Sequence, residues 1–169
     1  MRSASVRGES VSRIAAIALG SNLASPWGDR EANLREAVRH VGQLGQVRVV
    51  SSFHDTAPVG TTEQPNFLNG AMLLETKLGP VELMRALLGI EQAMGRERES
   101  VPAKGPRTID LDLLLMDDLV LDADELTLPH PAMAERRFVL EPLAEIAPVM
   151  VDPVTGRTVA EMLARLADR

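Results

Sequence analysis

Cysteine and tyrosine are absent from this chain, and only four aromatic side chains occur: Trp27, Phe53, Phe67 and Phe138. Without cysteine there is neither a disulfide framework nor thiolate chemistry, and a reducing, cytoplasmic setting is expected. Long apolar runs are lacking too. Residues 14–19 and 113–116 fall well short of the roughly 20 needed to cross a bilayer, so no membrane role is expected. Residues 1–12 (MRSASVRGESVS) lack the apolar block of a signal peptide and read as a disordered tail. Nor is there the excess of basic residues that marks a nucleic-acid binder: the net charge is −6, so any anion site has to be local. Neither Gly-x-x-x-x-Gly-Lys-Ser/Thr nor Gly-x-Gly-x-x-Gly occurs, which excludes a P-loop or Rossmann cradle at the level of motif.

What is present is an ordinary globular composition, 45% hydrophobic and 25% charged over 169 residues, enough for one domain over residues 13–169. The run 13–19 (RIAAIAL) reads as a central strand stopped by Gly20-Ser21-Asn22. Residues 29–44 place Leu34, Val38, Val41 and Leu44 at helical spacing. A β-branched strand is expected over 46–53, then a loop through 56–65 with two prolines and a glycine, and an antiparallel return strand over 67–78. Gly79-Pro80 opens a second helix, with Val81, Met84, Leu87, Leu88 and Met94 on its apolar stripe, ending at Gly95. After a charged, Gly/Pro-punctuated stretch (95–106) read as a mobile loop comes the strand to 116. Beyond it, Asp117-Asp118 reads as a turn, 119–121 as a short return strand and 126–131 as a loop. Pro142 is expected to break 136–146 into short helical turns, and Thr158 to Glu161 to cap a last helix to Leu166. Strand, helix, strand, strand, helix, strand is the order of a ferredoxin-like βαββαβ core. This is an α+β antiparallel sheet with helices packed on one face, the other face being available for a site, and with C-terminal additions giving α/β/α layers.

The chemistry concentrates in Lys104 to Met116. Alternation puts Asp110, Asp112 and Leu114 on one face of a strand and Ile109, Leu111, Leu113 and Leu115 on the other. Residues two apart are about 6.6 Å from each other along a strand, so both carboxylates can converge on one hard cation or on a close pair. Oxygen donors without cysteine and with little histidine nearby favour Mg²⁺ or Mn²⁺ over zinc. An Asp-x-Asp alone is more often simply the solvated face of a strand. Here, however, Arg96, Arg98, Lys104 and Arg107 lie within twelve residues, and cations beside a divalent metal stabilise charge in phosphoryl-type transfer. Phe67 and Asn69 share a strand face and together offer stacking and paired hydrogen bonds to a flat heterocycle, although an isolated Phe is ordinarily core. His130, set between prolines, is able to donate to a phosphate or simply to cap a turn.

Gly105 to Leu114 (GPRTIDLDLL) resembles the signature of the hydroxymethyl-dihydropterin pyrophosphokinase family. Residues 18–23, 51–53, 64–69, 128–131 and 138–143 resemble further family segments in the family's order. The resemblance spans residues 14–150 and implies a ferredoxin-like core that transfers the β,γ-pyrophosphate of ATP to 6-hydroxymethyl-7,8-dihydropterin, releasing AMP. It further implies that Asp110 and Asp112 hold two Mg²⁺, and that Phe67 and Phe138 sandwich the pterin. Asn69, Thr56, Pro58 and Val59 would line or hydrogen-bond it. Arg96, Arg98, Arg107, His130 and Arg136 match residues that bind ATP or close over it, Glu91 matches an acidic position near the site, and Asp110, Asp112 and the three loop arginines carry the transfer. In two places the chain departs from the family. Lys104 stands where members often have tryptophan, and Glu125 where some have a basic residue. A monomer is expected, as no exposed apolar helix demands a partner. The alternatives are an Asp-x-Asp nucleotide-sugar transferase, which needs a larger nucleotide-binding sheet, and a ferredoxin-like regulatory module that binds a small ligand without catalysis.

Overall fold

Arg13–Ser21 forms strand β1, with Ala15, Ile17 and Leu19 turned to one face and Ala16 and Ala18 to the other. Because nearly every residue along it is apolar, both of its faces can be covered, as befits a central strand. The computed structural model describes residues 11–22, 28–56, 66–95 and 108–167. The tail over residues 1–10, most of the loop 56–65 and most of the loop 95–106 therefore lie outside the described residues, as does Trp27.

Helix α1 (Arg30–Val41) starts at Asp29, whose Oδ1 accepts a hydrogen bond from Ala32 N at 3.0 Å. A single 3₁₀ turn, Gly42–Leu44, replaces the expected last helical turn. Strands β2 (Gln46–Val50) and β3 (His54–Thr56) both pair antiparallel with β4 (Phe67–Thr76). The single strand expected over 46–53 is thus two. Between them Ser51 bonds across to β4, its Oγ accepting from Ala71 N and its N donating to Ala71 O, while Phe53 folds over Gly70, where a Cβ would lie only 2.8 Å from its ring. Helix α2 (Pro80–Ala93) has Pro80 at its first position, and Glu82 Oε1 accepts from Gly79 N.

Strand β5 (Asp110–Met116) completes a sheet in which β2, β4, β1 and β5 lie side by side, all antiparallel, with β3 beside β4. This is the ferredoxin-like order. A bulge opposite Ala16 and Ile17 leaves Leu114 as an extra residue, so that Leu115 joins Leu114 on the same side instead of lying with Leu113. A run of identical leucines carries no mark of where the alternation slips.

Strand β6 (Leu121–Asp122) pairs with β7 (Thr127–Leu128) as a separate hairpin, not with β5 as a return strand. Helix α3 (Arg137–Ile146) runs unbroken through Pro142, and this corrects the expectation of short turns. Burial of Val139, Leu140, Pro142 and Leu143 holds the helix where propensity opposes it. Helix α4 (Val159–Ala167) begins with the expected box: Glu161 N donates to Thr158 Oγ1 and Thr158 N to Glu161 Oε1.

Helices α1 and α2 cover one face of the sheet through Leu34, Ala37, Val41, Leu83, Leu87 and Ile90. The second face is not left open along its length. Helices α3 and α4 cover the part built on Ala16, Ala71, Leu114 and Leu115. What remains is the end of that face where β1 runs out. Among the described residues no helix is long and apolar enough to cross a membrane.

Candidate active site

Gly20, next to last in β1, lies opposite Asn69 of β4 and Asp110 of β5. A Cβ placed there would stand 3.2 Å from Asn69 Oδ1, 3.7 Å from the Phe67 ring and 4.0 Å from Asp110 Cβ. Three of the expected residues therefore converge over one bare stretch of backbone, which only glycine leaves open. Asn69 is buried, and its Nδ2 donates to Thr56 Oγ1 at 2.6 Å. Because Thr56 pairs with Phe67 across the β3–β4 ladder, the two share this face.

Asp110 and Asp112, both half-buried, are paired with Gly20 and Ala18 respectively and so continue the same face. The peptide between them is fixed from behind. Glu91 of α2 is 1% exposed, and its Oε2 accepts from Leu111 N at 2.8 Å. A buried carboxylate bonded to a strand amide holds the strand in place, so Glu91 sets where the two aspartates stand.

Among the described residues strand β5 has a neighbour on one side only, and Asp112 reaches the space beyond that sheet edge. That space is a cleft of about 280 Å³ between Met84, Leu87 and Leu88 of α2, Asp112 of β5, and Glu125, Thr127 and His130. Its walls mix apolar and polar groups almost evenly, and three carboxylates, Asp112, Asp124 and Glu125, lie on them. Glu125, which stands where some members of the resembled family have a basic residue, is held by Arg85: Nη2 to Oε1 at 2.6 Å and Nε to Oε2 at 3.1 Å.

His130 Nδ1 accepts from Ala132 N at 3.2 Å, which leaves the proton of the neutral ring on Nε2. Burial, and then the Arg136 cation, lower its pKa below the usual histidine value, against the opposing pull of the Asp110 carboxylate. His130 is therefore a neutral N–H donor at pH 7. The Arg136 guanidinium carbon lies 5.8 Å from the centroid of the Phe138 ring, a cation–π distance, at the start of α3.

Thr56, Phe67, Asn69, Asp110, Asp112, Glu91, His130, Arg136 and Phe138 can thus be located on the β1 end of the second sheet face, on the strand edge beside it or on the elements that support it. Pro58, Val59, Arg96, Arg98 and Arg107 lie outside the described residues. Two links next to the site were not expected from sequence. Glu145 of α3 accepts from Ser52 N and Ser52 Oγ at 2.9 and 2.8 Å, and His54 Nε2 lies 3.1 Å from its Oε1. These contacts, the backbone amide foremost, hold the Glu145 carboxyl below its ordinary pKa. Arg30 forks onto Asp55 and Asn66. Nothing local distinguishes these residues from ordinary surface charges, since their partners are 25 to 93 residues away.

The metal expected at Asp110 and Asp112 can be tested against the donors present. Among the described residues no group of three or more His, Cys, Asp or Glu side chains gathers as a closed metal cage. Two hard carboxylates suit Mg²⁺, which keeps several waters and binds through one or two carboxylates plus substrate phosphates.

Residues 16–148 match the family model described as 7,8-dihydro-6-hydroxymethylpterin-pyrophosphokinase (HPPK). The chain is 48% identical over 138 residues to the 2-amino-4-hydroxy-6-hydroxymethyldihydropteridine pyrophosphokinase of Bacillus subtilis, covering 80% of this chain and 79% of that protein. It is 39% identical over 156 residues to the folic acid synthesis protein fol1 of Schizosaccharomyces pombe. That match takes in 91% of this chain but only 20% of the yeast protein. In fold it is similar to wild-type Plasmodium falciparum HPPK-DHPS crystallised with pteroate, with a TM-score of 0.73 at 13% identity over 97% of this chain and 46% of that one.

Proposed function

The chain belongs to the 7,8-dihydro-6-hydroxymethylpterin-pyrophosphokinase family, and from that premise we infer that it transfers pyrophosphate from ATP to 6-hydroxymethyl-7,8-dihydropterin in folate biosynthesis. The products are the pterin diphosphate and AMP. Family membership displaces both the regulatory-module and the sugar-transferase alternatives. The observation that carries the reading to particular residues is the meeting of Phe67, Asn69 and Asp110 over Gly20, next to a cleft that Asp112 also lines.

On this reading the pterin lies on the sheet face. Phe67 and Phe138 stack on it, and Asn69, with its amide oriented by Thr56, hydrogen-bonds its edge, helped by Pro58 and Val59. ATP lies along the outer edge of β5, its base toward the cleft and its phosphates toward Asp110, Asp112 and the His130 Nε2–H. Asp110 and Asp112 hold Mg²⁺, two ions in the fuller form of the proposal. Bound there, the metal neutralises and orients the triphosphate. Glu91 contributes through Leu111 by fixing the strand, while Arg96, Arg98, Arg107 and Arg136 add positive charge against the phosphates. In the transfer, the pterin hydroxyl oxygen bonds to the β-phosphorus, the bond from that phosphorus to the α,β-bridging oxygen breaks, and AMP leaves with that oxygen. The hydroxyl proton is released to solvent, and no protein nucleophile takes part. A monomer working in the cytoplasm, without nucleic acid, completes the proposal.

The test is product identity. ATP, Mg²⁺ and the hydroxymethyl pterin together should give AMP in step with loss of ATP, and omission of the pterin should stop it. Binding of both substrates without AMP, or formation of ADP, would refute the reading.

A further inference from the structure

Strand β3 has only three residues and, among the described residues, pairs with β4 alone, yet each of its side chains is tied to a different element. His54 meets Glu145 of α3, Thr56 accepts from Asn69 of β4, and Asp55 pairs with Arg30 of α1. So short an edge strand has few ladder bonds to fix its position, and opening at such places costs little free energy. Its upstream end is held by the Ser52 and His54 contacts to Glu145. Its downstream end carries Thr56.

Arg30 closes that end. Its Nη2 donates to Asp55 Oδ2 at 2.9 Å, and its Nη1 donates both to Asp55 Oδ1 at 3.1 Å and to the Asn66 carbonyl at 2.7 Å. One planar fork therefore joins the residue before Thr56 to the residue before Phe67, and Thr56 and Phe67 are themselves the last pair of the ladder. Asp55 alternates with Thr56, so this clip sits on the α1 side of the sheet and holds the Thr56–Phe67 pair from behind. The carboxylate of Asp55 is drawn below its ordinary pKa, first by this hydrogen bond from Arg30.

A contribution to global stability does not explain the arrangement well. The two side chains are 30% and 52% exposed, and ion pairs of that kind add little to folding. The fork's geometric effect is larger than its energetic one, because a bidentate guanidinium sets distance and plane together, which a lysine cannot do. We propose that Arg30 is a positioning residue for the pterin subsite, acting through Asp55 and Asn66 to hold Thr56 and Phe67 in register so that Asn69 and the Phe67 ring meet the heterocycle correctly. The inference rests on the assignment of Phe67 and Asn69 to the pterin given above.

Steady-state kinetics and thermal melting of the full chain test it, with Arg30→Ala, Arg30→Lys, Asp55→Asn and Phe67→Ala measured together. Arg30→Ala should raise the pterin KM about tenfold, a loss of about 1.4 kcal/mol, with kcat and the ATP KM within twofold of wild type and little change in Tm. Arg30→Lys should fail to restore the pterin KM, whereas Asp55→Asn, which keeps the bond to the Asn66 carbonyl, should fall between. An unchanged pterin KM in Arg30→Ala would overturn the inference. So would parallel losses of kcat, both KM values and Tm that lysine rescues, since these would mark a general stabilising charge. Phe67→Ala separates the two levels: if it raises the pterin KM while Arg30→Ala does not, the positioning role alone fails. If it leaves the pterin KM unchanged, the assignment of the subsite fails and the positioning role with it.

Discussion

The two faces of the sheet are built from the same strands, residue by alternate residue, and have opposite characters. Toward α1 and α2 the strands present Ile17, Leu19, Met72, Leu74, Leu111 and Leu113, all buried and all apolar. Toward α3 the same strands carry Ala16, Ala71 and Leu114, and then, at the end where β1 finishes and β4 and β5 start, Gly20, Asn69, Asp110 and Asp112. The first face is mostly apolar and stabilised chiefly by burial, and its few buried polar groups are bonded to one another, Asn33 Nδ2 to Ser21 Oγ and Leu111 N to Glu91 Oε2. The second puts an amide, an aromatic ring and two carboxylates where the covering helices stop. What the contrast teaches is that one set of strands carries both tasks without competition, because a side-chain period of two separates them. The small residues of β1 on the second face, Ala16, Ala18 and Gly20, leave the room.

Changes to the two faces should therefore separate activity from stability. Asp112→Ala carries the largest expected effect, a loss of AMP formation of about a hundredfold or more, as for removal of a group that organises charge in the transition state. Its melting temperature should stay near wild type in calorimetry, and retention of turnover would erase the contrast. Leu34→Ala, fully buried on the first face, should do the reverse. Urea unfolding should show about 2–5 kcal/mol less stability, with an unchanged pterin KM for the folded fraction. Phe138→Ala should weaken pterin binding about tenfold, in the range for loss of a stacking partner, and leave ATP binding unaltered in titration calorimetry. Equal losses for the two ligands would count against the sandwich. Gly20→Ala is subtler. The added Cβ presses on Asn69 Oδ1 at 3.2 Å, and overpacking of about 1 kcal/mol should raise the pterin Kd about fivefold while ATP binding holds.

The smallest effect is one of pH. His130 has a lower pKa in the folded chain than when unfolded. Between its usual value near 6.5 and that lowered value, the unfolded chain binds the extra proton and the native one does not. Stability should thus decline as pH falls through this window, and the dependence should flatten in His130→Gln when melting curves are compared across pH.

How much of this was legible in the sequence follows from the range of each interaction. The alternation that sets Asp110 and Asp112 apart from Leu111 and Leu113, the pairing of Phe67 with Asn69 and the Thr158–Glu161 box are local patterns, and each was readable. The bulge at Leu114 was not, because LLLM is apolar at every register. The continuity of α3 through Pro142 was not either, since tertiary burial there overrides a helix breaker. Least readable were the supports of the site. Glu91 was placed near it by resemblance, but its bond to Leu111 N, the Glu145 contacts to Ser52 and His54, and the Arg30 fork join residues far apart in the chain. Such pairs leave no periodic trace. For Arg96, Arg98, Arg107, Pro58 and Val59 the sequence remains the only source, as they fall outside the described residues.

The central claim is that the polar end of the second face brings the pterin hydroxyl to the β-phosphorus of ATP. Phosphorus NMR of a completed reaction addresses it most directly. The account predicts two mutually coupled phosphorus resonances on the pterin product and a single one for AMP, in equal amounts. A pterin monophosphate with ADP, or ATP left intact while both ligands bind, would contradict it.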